Sequence, residues 1–304
     1  MEMILKKTKA KTHRKPLEKK IISLKVNLAW KLLDSGQYEK ALGLYASLPW
    51  NEDKYNGVAR ALTEMGQHKE AGQILDRGLA KFPHSHALWV AKGNLSLGLG
   101  DNLMALGCYE KVIRLFPLDS SVGFYGKAMA LENLGRFKEA VIILDRLIKK
   151  HPKDPLYIIE RGHCALKMGC PLDALRFYRQ AMSIWRHSGQ FQEGVALYSG
   201  ICTAYIDLHM KKEALEVAME GLKELPGHPT LYYNAGRAYC GMGMSEEAME
   251  ILKNGLEKFP ENQDLRELLK ELEEDLDSPD GGIRPAFFGL ILLALLMHRK
   301  LKKK

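Results

Sequence analysis

Through residues 22–276 the apolar positions return with the period of a helix, three or four residues apart. Residues 229–262 (PTLYYNAGRAYCGMGMSEEAMEILKNGLEKFPEN) show the pattern most plainly. Tyr232, Ala235, Gly236 and Tyr239 fall at i, i+3, i+4 and i+7, one face of a first helix. Gly243 interrupts the run, as a tight turn between antiparallel helices needs a residue that accepts positive φ. Ala248, Leu252 and Gly255 line a second helix, which Pro260 ends. The stretch therefore predicts helix, turn, helix and breaker.

The same arrangement recurs seven times, in columns. Where the two helices cross stand Ala29, Ala59, Gly93, Ala128, Gly162, Cys202 and Gly236. At the turn stand Gly36, Gly66, Gly100, Gly135, Gly169, His209 and Gly243. The second helix carries Ala41, Ala71, Ala105, Ala140, Ala174, Ala214 and Ala248, spaced by 30, 34, 35, 34, 40 and 34 residues. Pro49, Pro83, Pro117, Pro152, Pro226 and Pro260 end six of the seven, with none near Arg186. Small residues let two helix backbones come close, while Tyr45, Tyr109, Leu144, Tyr178 and Leu252 fill the space left between repeats. An ordinary bundle has no reason to return Gly, Ala and Pro to fixed columns. The columns resemble the tetratricopeptide repeat, with its aromatic, small residue, aromatic, Ala, large residue and Pro over 34 residues.

That resemblance implies an all-α protein, a right-handed solenoid superhelix of seven helix hairpins. The expected repeats are 22–51, 52–85, 86–119, 121–154, 155–188, 195–228 and 229–262. A basic arm at 1–21 precedes them. A capping helix at 263–277, a linker at 278–285 and a hydrophobic, basic tail at 286–304 follow. A solenoid suits 304 residues, since each repeat packs only on its neighbours. The fifth repeat departs from the pattern. Ile184, Trp185 and Arg186 continue its second helix, and six extra residues (189–194, GQFQEG) predict a loop, read as a change of curvature or, alternatively, as a binding edge built by Trp185 and Phe191. In the cap, Leu265, Leu268, Leu269, Leu272 and Leu276 form one stripe on an otherwise charged helix.

Charge changes the picture at the ends. Residues 1–20 carry +6 and the residues after His298 carry +5, so of the total of +8 the body keeps −3. The high basic balance therefore belongs to the tails, and nucleic acid is not expected as a partner of the folded part. The first twenty residues hold no apolar run suited to a secretory signal peptide. Ala286, Phe287, Phe288, Gly289, Leu290, Ile291, Leu292, Leu293, Ala294, Leu295, Leu296 and Met297 are twelve apolar residues with no polar face. As a helix they span about 18 Å against about 30 Å of hydrocarbon, which flanking Lys and Arg can offset by snorkelling. The tail also resembles a tail anchor of the mitochondrial outer-membrane type. Membrane attachment, folding onto the protein's own groove and an oligomer contact are the three readings of this segment.

No catalytic constellation appears. His163 and Cys164 are sequence neighbours, which do not face each other on a helix. Gly93, Gly98 and Gly100 follow no strand, so they make no phosphate loop. No cofactor, metal or small-molecule substrate is expected. The five cysteines, Cys108, Cys164, Cys170, Cys202 and Cys240, are dispersed through helical patterns and are expected to be reduced.

In the family the first helix of each repeat lines a concave groove that holds an extended or helical peptide. Carried over, the groove positions are Asn56, Arg60, Val90, Asn94, Tyr125, Met129, Ile159, His163, Ser199, Thr203, Tyr233 and Arg237. Val90 stands where chaperone-binding members place a clamp lysine, and Gly126 replaces the next clamp asparagine, so a carboxylate clamp is not implied. Val90, Tyr125, Met129 and Ile159 make the middle of the groove apolar, which suits an amphipathic partner helix. The resulting expectation is a non-enzymatic adaptor that binds a protein or peptide in its groove. Its body would lie in the cytoplasm, held to a membrane by its C-terminal segment. Two alternatives stay open: a soluble adaptor with its tail in its own groove, and a binder of nucleic acid or membrane surface through the basic tails.

Overall fold

The computed structural model describes residues 19–117, 120–188 and 191–277. Every regular element among them is an α-helix. In order these are α1 (residues 19–34), α2 (Tyr38–Ala46), α3 (Glu52–Glu64), α4 (His68–Lys81) and α5 (His86–Gly98). Next come α6 (Asn102–Leu115), α7 (Ser121–Asn133), α8 (Phe137–Lys150), α9 (Pro155–Lys167) and α10 (Pro171–Ser188). The last are α11 (Phe191–Asp207), α12 (Lys211–Glu224), α13 (Pro229–Gly241), α14 (Ser245–Lys258) and α15 (Gln263–Asp277). The chain divides between Pro152 and Lys153 into two compact halves, α1–α8 and α9–α15. The linker expected at 278–285, the tail at 286–304 and residues 1–18 of the basic arm lie outside the described residues.

The local signals explain the boundaries. Asn51, Ser85, Asp101, Asp154 and Asn262 each accept a hydrogen bond from a backbone N–H in the first turn of the helix that follows. Pro155 and Pro229 open α9 and α13, where a missing N–H costs nothing. Each hairpin turn carries the same closure. The turn residue's N–H bonds the carbonyl three residues back and the next N–H bonds the carbonyl five back, as with Gly100 to Leu97 and Asp101 to Ser96. This requires positive φ, which Gly36, Gly66, Gly100, Gly135, Gly169 and Gly243 adopt; His209 adopts it too, at +60°. Phe82, Phe116, Leu225 and Phe259, each followed by proline, leave the helical region with φ between −128° and −134° and ψ between 62° and 66°, since proline disfavours the helical conformation in the residue before it.

Packing repeats as well. In the N-terminal half α3 packs on α5 and α5 on α7; in the C-terminal half α9, α11, α13 and α15 pack in succession. Within each half the even helices sit between odd helices, as α4 does on α3 and α5, α6 on α5 and α7, α12 on α11 and α13, and α14 on α13 and α15. One core joins Val26, Ala29 and Leu33 of α1 to Ala41 and Tyr45 of α2. Another joins Tyr232 of α13 to Leu252 of α14 and Leu265, Leu268 and Leu272 of α15.

The fifth repeat differs from its expected form. α10 does run on through Ile184, Trp185 and Arg186, but residues 191–194 are the first turn of α11 rather than a loop. Within that turn α11 comes close to its neighbours at Gly194. A Cβ there would lie 2.3 Å from the Trp185 ring and 2.7 Å from Leu225, so glycine lets all three meet. Trp185 is buried at 5 % exposure, edge-on to Tyr198 at 6.1 Å. It fills a core and builds no binding edge. The side chain of Phe191 lies outside the described residues.

Candidate functional site

The row of odd helices positions the groove candidates. Asn56 and Arg60 lie on α3, Val90 and Asn94 on α5, and Tyr125 and Met129 on α7. These are equivalent positions on helices that touch in succession. Arg60 and Asn94 are exposed, and the other four are half-buried. In the C-terminal half His163 lies on α9, Ser199 and Thr203 on α11, and Tyr233 and Arg237 on α13, all half-buried. Ile159, expected on the same wall, is only 1 % exposed. Its side chain is core, so the apolar middle expected of the groove loses that member.

Several candidates have partners the sequence did not announce. The Arg60 guanidinium pairs with Asp34 at 2.9 Å and lies 5.5 Å from the Trp30 ring centre. Both ends of that ion pair are exposed, so it orients the side chain and contributes about 0–1 kcal/mol. Tyr109 donates its hydroxyl proton to Asn94 Oδ1 at 2.6 Å, and burial holds that phenol well above its usual pKa. His163 Nδ1 stands 3.2 Å from Glu160 Oε2, with its ring edge-on to Tyr178 at 5.6 Å. The Arg237 guanidinium lies 5.8 Å from the Tyr233 ring. Burial raises the Tyr233 phenol; Arg237 opposes the rise, and Asp264, Glu271 and Glu267 add to it. Burial likewise raises Asp207, again opposed by Arg237. The spacing of repeats brings Asp207, Tyr233, Arg237 and the acids of α15 within electrostatic reach, a signal visible only once hairpins are stacked.

The two walls therefore differ in chemistry. α5 and α7 offer an apolar surface of Val90, Tyr125 and Met129 beside polar Asn56, Arg60 and Asn94. On α11, α13 and α15, Arg237 acts on Asp207 and Tyr233, and Asp264, Glu267 and Glu271 act on Tyr233. A shallow depression lined by Leu172, Leu175, Arg176, Arg179, Tyr205 and Met210 adds an apolar surface on α10 and α11 that the repeat pattern did not mark. Among the described residues no three His, Cys, Asp or Glu side chains gather to hold a metal ion. The cysteines are free thiols; Cys108, Cys164 and Cys202 are buried, and burial pushes Cys202 up to about 12. No helix among the described residues is long and apolar enough to cross a membrane.

Comparison with known proteins rests on this geometry. One tetratricopeptide repeat model matches residues 32–95 and 212–272, and a second matches 121–164. Protein FlbA of Caulobacter vibrioides is 29 % identical over 86 residues, which span 28 % of this chain and 14 % of FlbA. A tetratricopeptide repeat protein of Parabacteroides merdae superposes with a TM-score of 0.66 at 15 % identity, over 83 % of this chain and 98 % of its own. Yeast Tom70 superposes with a TM-score of 0.65 at 15 % identity, over 86 % of this chain and 56 % of its own. A chain of the APC/C hetero-tetramer Cut9–Hcn1 does so at 0.64 and 18 % identity, over 80 % of this chain and 48 % of its own. At these identities the solved structures speak for the fold alone. With the recurring turn, the odd-helix rows and sequence matches over more than half its length, the chain belongs to the tetratricopeptide repeat family.

Proposed function

We propose that this protein is a non-enzymatic scaffold built as a right-handed superhelix of seven repeats. α1–α14 form the repeats in pairs, and α15 closes the last one. The row of first helices is its working surface, and an amphipathic partner helix or peptide is its ligand. The observation that carries the reading is the cluster of Val90, Tyr125 and Met129. These are half-buried apolar side chains on two touching helices, bordered by exposed Arg60 and Asn94. Aromatic and Met side chains on such a surface adapt to an apolar helix face and bind it through buried area. The body is placed in the cytoplasm and tied to a membrane by residues 286–297, whose apolar run between a Gly- and Pro-containing linker and a lysine-rich end motivates the assignment.

The test is a photo-crosslinking residue in place of Met129, in cells, with and without Tyr125→Glu. The expected result is a protein adduct that Tyr125→Glu reduces at least roughly tenfold, as a buried charge at an interface centre would, while the helical circular dichroism is unchanged. An adduct of equal yield in the variant would move the site elsewhere.

A further inference from the structure

Helix α1 presents an apolar line that no described element covers. Ile21, Leu24 and Leu28 are 46 %, 59 % and 50 % exposed, and their spacing of three and four puts them on one face. The opposite side of the helix is committed, since Val26, Ala29 and Leu33 are buried in the first core. At the 100° step of a helix, Lys20 and Lys31 fall along one border of the exposed line and Lys25 along the other. Lys20 and Lys31 are exposed, while Lys25 reaches the Ser47 hydroxyl at 3.1 Å. The acid of this helix, Asp34, is already paired with Arg60. Upstream, residues 1–18 hold six more Lys or Arg against two Glu.

Charge decides what fits there. A second copy laid antiparallel on this face would set lysines against lysines. The chain's own apolar segment at 286–297 runs into five basic residues and would do the same. The face is purely aliphatic, with no aromatic ring or amide to select a particular protein. It is bordered on both sides by long cations able to reach outward. This is the composition of a helix that lies in a membrane interface. We propose that α1 binds the surface of an anionic bilayer. Ile21, Leu24 and Leu28 enter the boundary between headgroups and acyl chains, Lys20 and Lys31 meet lipid phosphates, and Lys25 joins them on exchanging the Ser47 hydroxyl for a phosphate oxygen. This inference does not depend on the C-terminal segment.

The experiment uses the full chain carrying Leu292→Asp and Leu293→Asp throughout, so that insertion of the C-terminal segment cannot contribute and no cation is added to it. Partition is measured on vesicles of phosphatidylcholine alone and of phosphatidylcholine with about a third phosphatidylserine. Binding is expected to the anionic vesicles only, to weaken with salt, and to fall at least roughly tenfold on Leu24→Glu with Leu28→Glu. The milder pair Leu24→Gln and Leu28→Gln leaves the charge of α1 unchanged and is expected to lose binding too. Equal binding by the Gln pair would overturn insertion. Equal binding to neutral vesicles would overturn the role of the lysines. Binding to neither vesicle would overturn the proposal and leave a protein helix with acidic borders as the occupant.

Discussion

Glu193 sits in the first turn of α11 with one carboxylate oxygen buried and without a hydrogen-bond partner. Burial raises its pKa above the usual 4.5, and nearby Asp154 adds to the rise. The folded state thus holds this proton more tightly than the unfolded chain does. Its contribution is favourable below the unfolded pKa and is lost as pH rises through the folded one. Glu193→Gln is therefore expected to raise the melting temperature at pH about 7, where the carboxylate is the costly form. The gain should vanish near pH about 4. Thermal unfolding at the two pH values checks it, and a gain that persisted at the acid end would mean that packing, not charge, was responsible. Nothing in the sequence marked this residue, because burial is a property of the packed chain and not of the residue. His209 was legible by contrast. It stands in a glycine column, and its φ of +60° shows that the turn closure prevails over the preference of its side chain.

At the scale of the element, Tyr109 of α6 is held between glycines of the helices on either side. A Cβ on Gly93 of α5 would lie 2.8 Å from its ring, and a Cβ on Gly126 of α7 would lie 2.2 Å from it. Tyr178 of α10 is held likewise between Gly162 of α9 and Gly200 of α11, at 2.6 and 2.5 Å. Gly93 and Gly162 belong to the crossing column and were readable. Gly126 was readable only as a missing clamp residue, and its neighbour in space explains it better. Gly126→Ala is expected to destabilise the protein by about 2 kcal/mol or more through overpacking. Tyr109→Leu alone should also destabilise it. The pair should cost less than the sum of the two, since the ring that clashes is gone. Denaturant unfolding of the four proteins gives the coupling, and strict additivity would refute the contact.

For the whole molecule, the repeat geometry places the candidate side chains by register. Asn56 and Val90 are 34 residues apart yet stand at the same place on touching helices. The C-terminal segment supplies a separate prediction at this scale. The full chain is expected to sediment with membranes, and a chain ending at Asp277 to shift at least roughly tenfold toward the supernatant at high salt, where surface attraction is screened. Equal distribution of the two would remove residues 286–297 from the mechanism.

The sequence by itself determined the helices apart from the start of α11, their turns and the order of pairing. Each of these depends on residues within one hairpin: a glycine for positive φ, a proline for the stop, and a 3.6-residue apolar period for the face. Tertiary structure alone decided which wall residues remain accessible, that Ile159 and Trp185 are core, and that residues 191–194 are helix. It also decided that Tyr109 needs two glycines. Those outcomes depend on side chains from two or three helices meeting at contact distance, and such a meeting leaves no period along the chain for a reader to find.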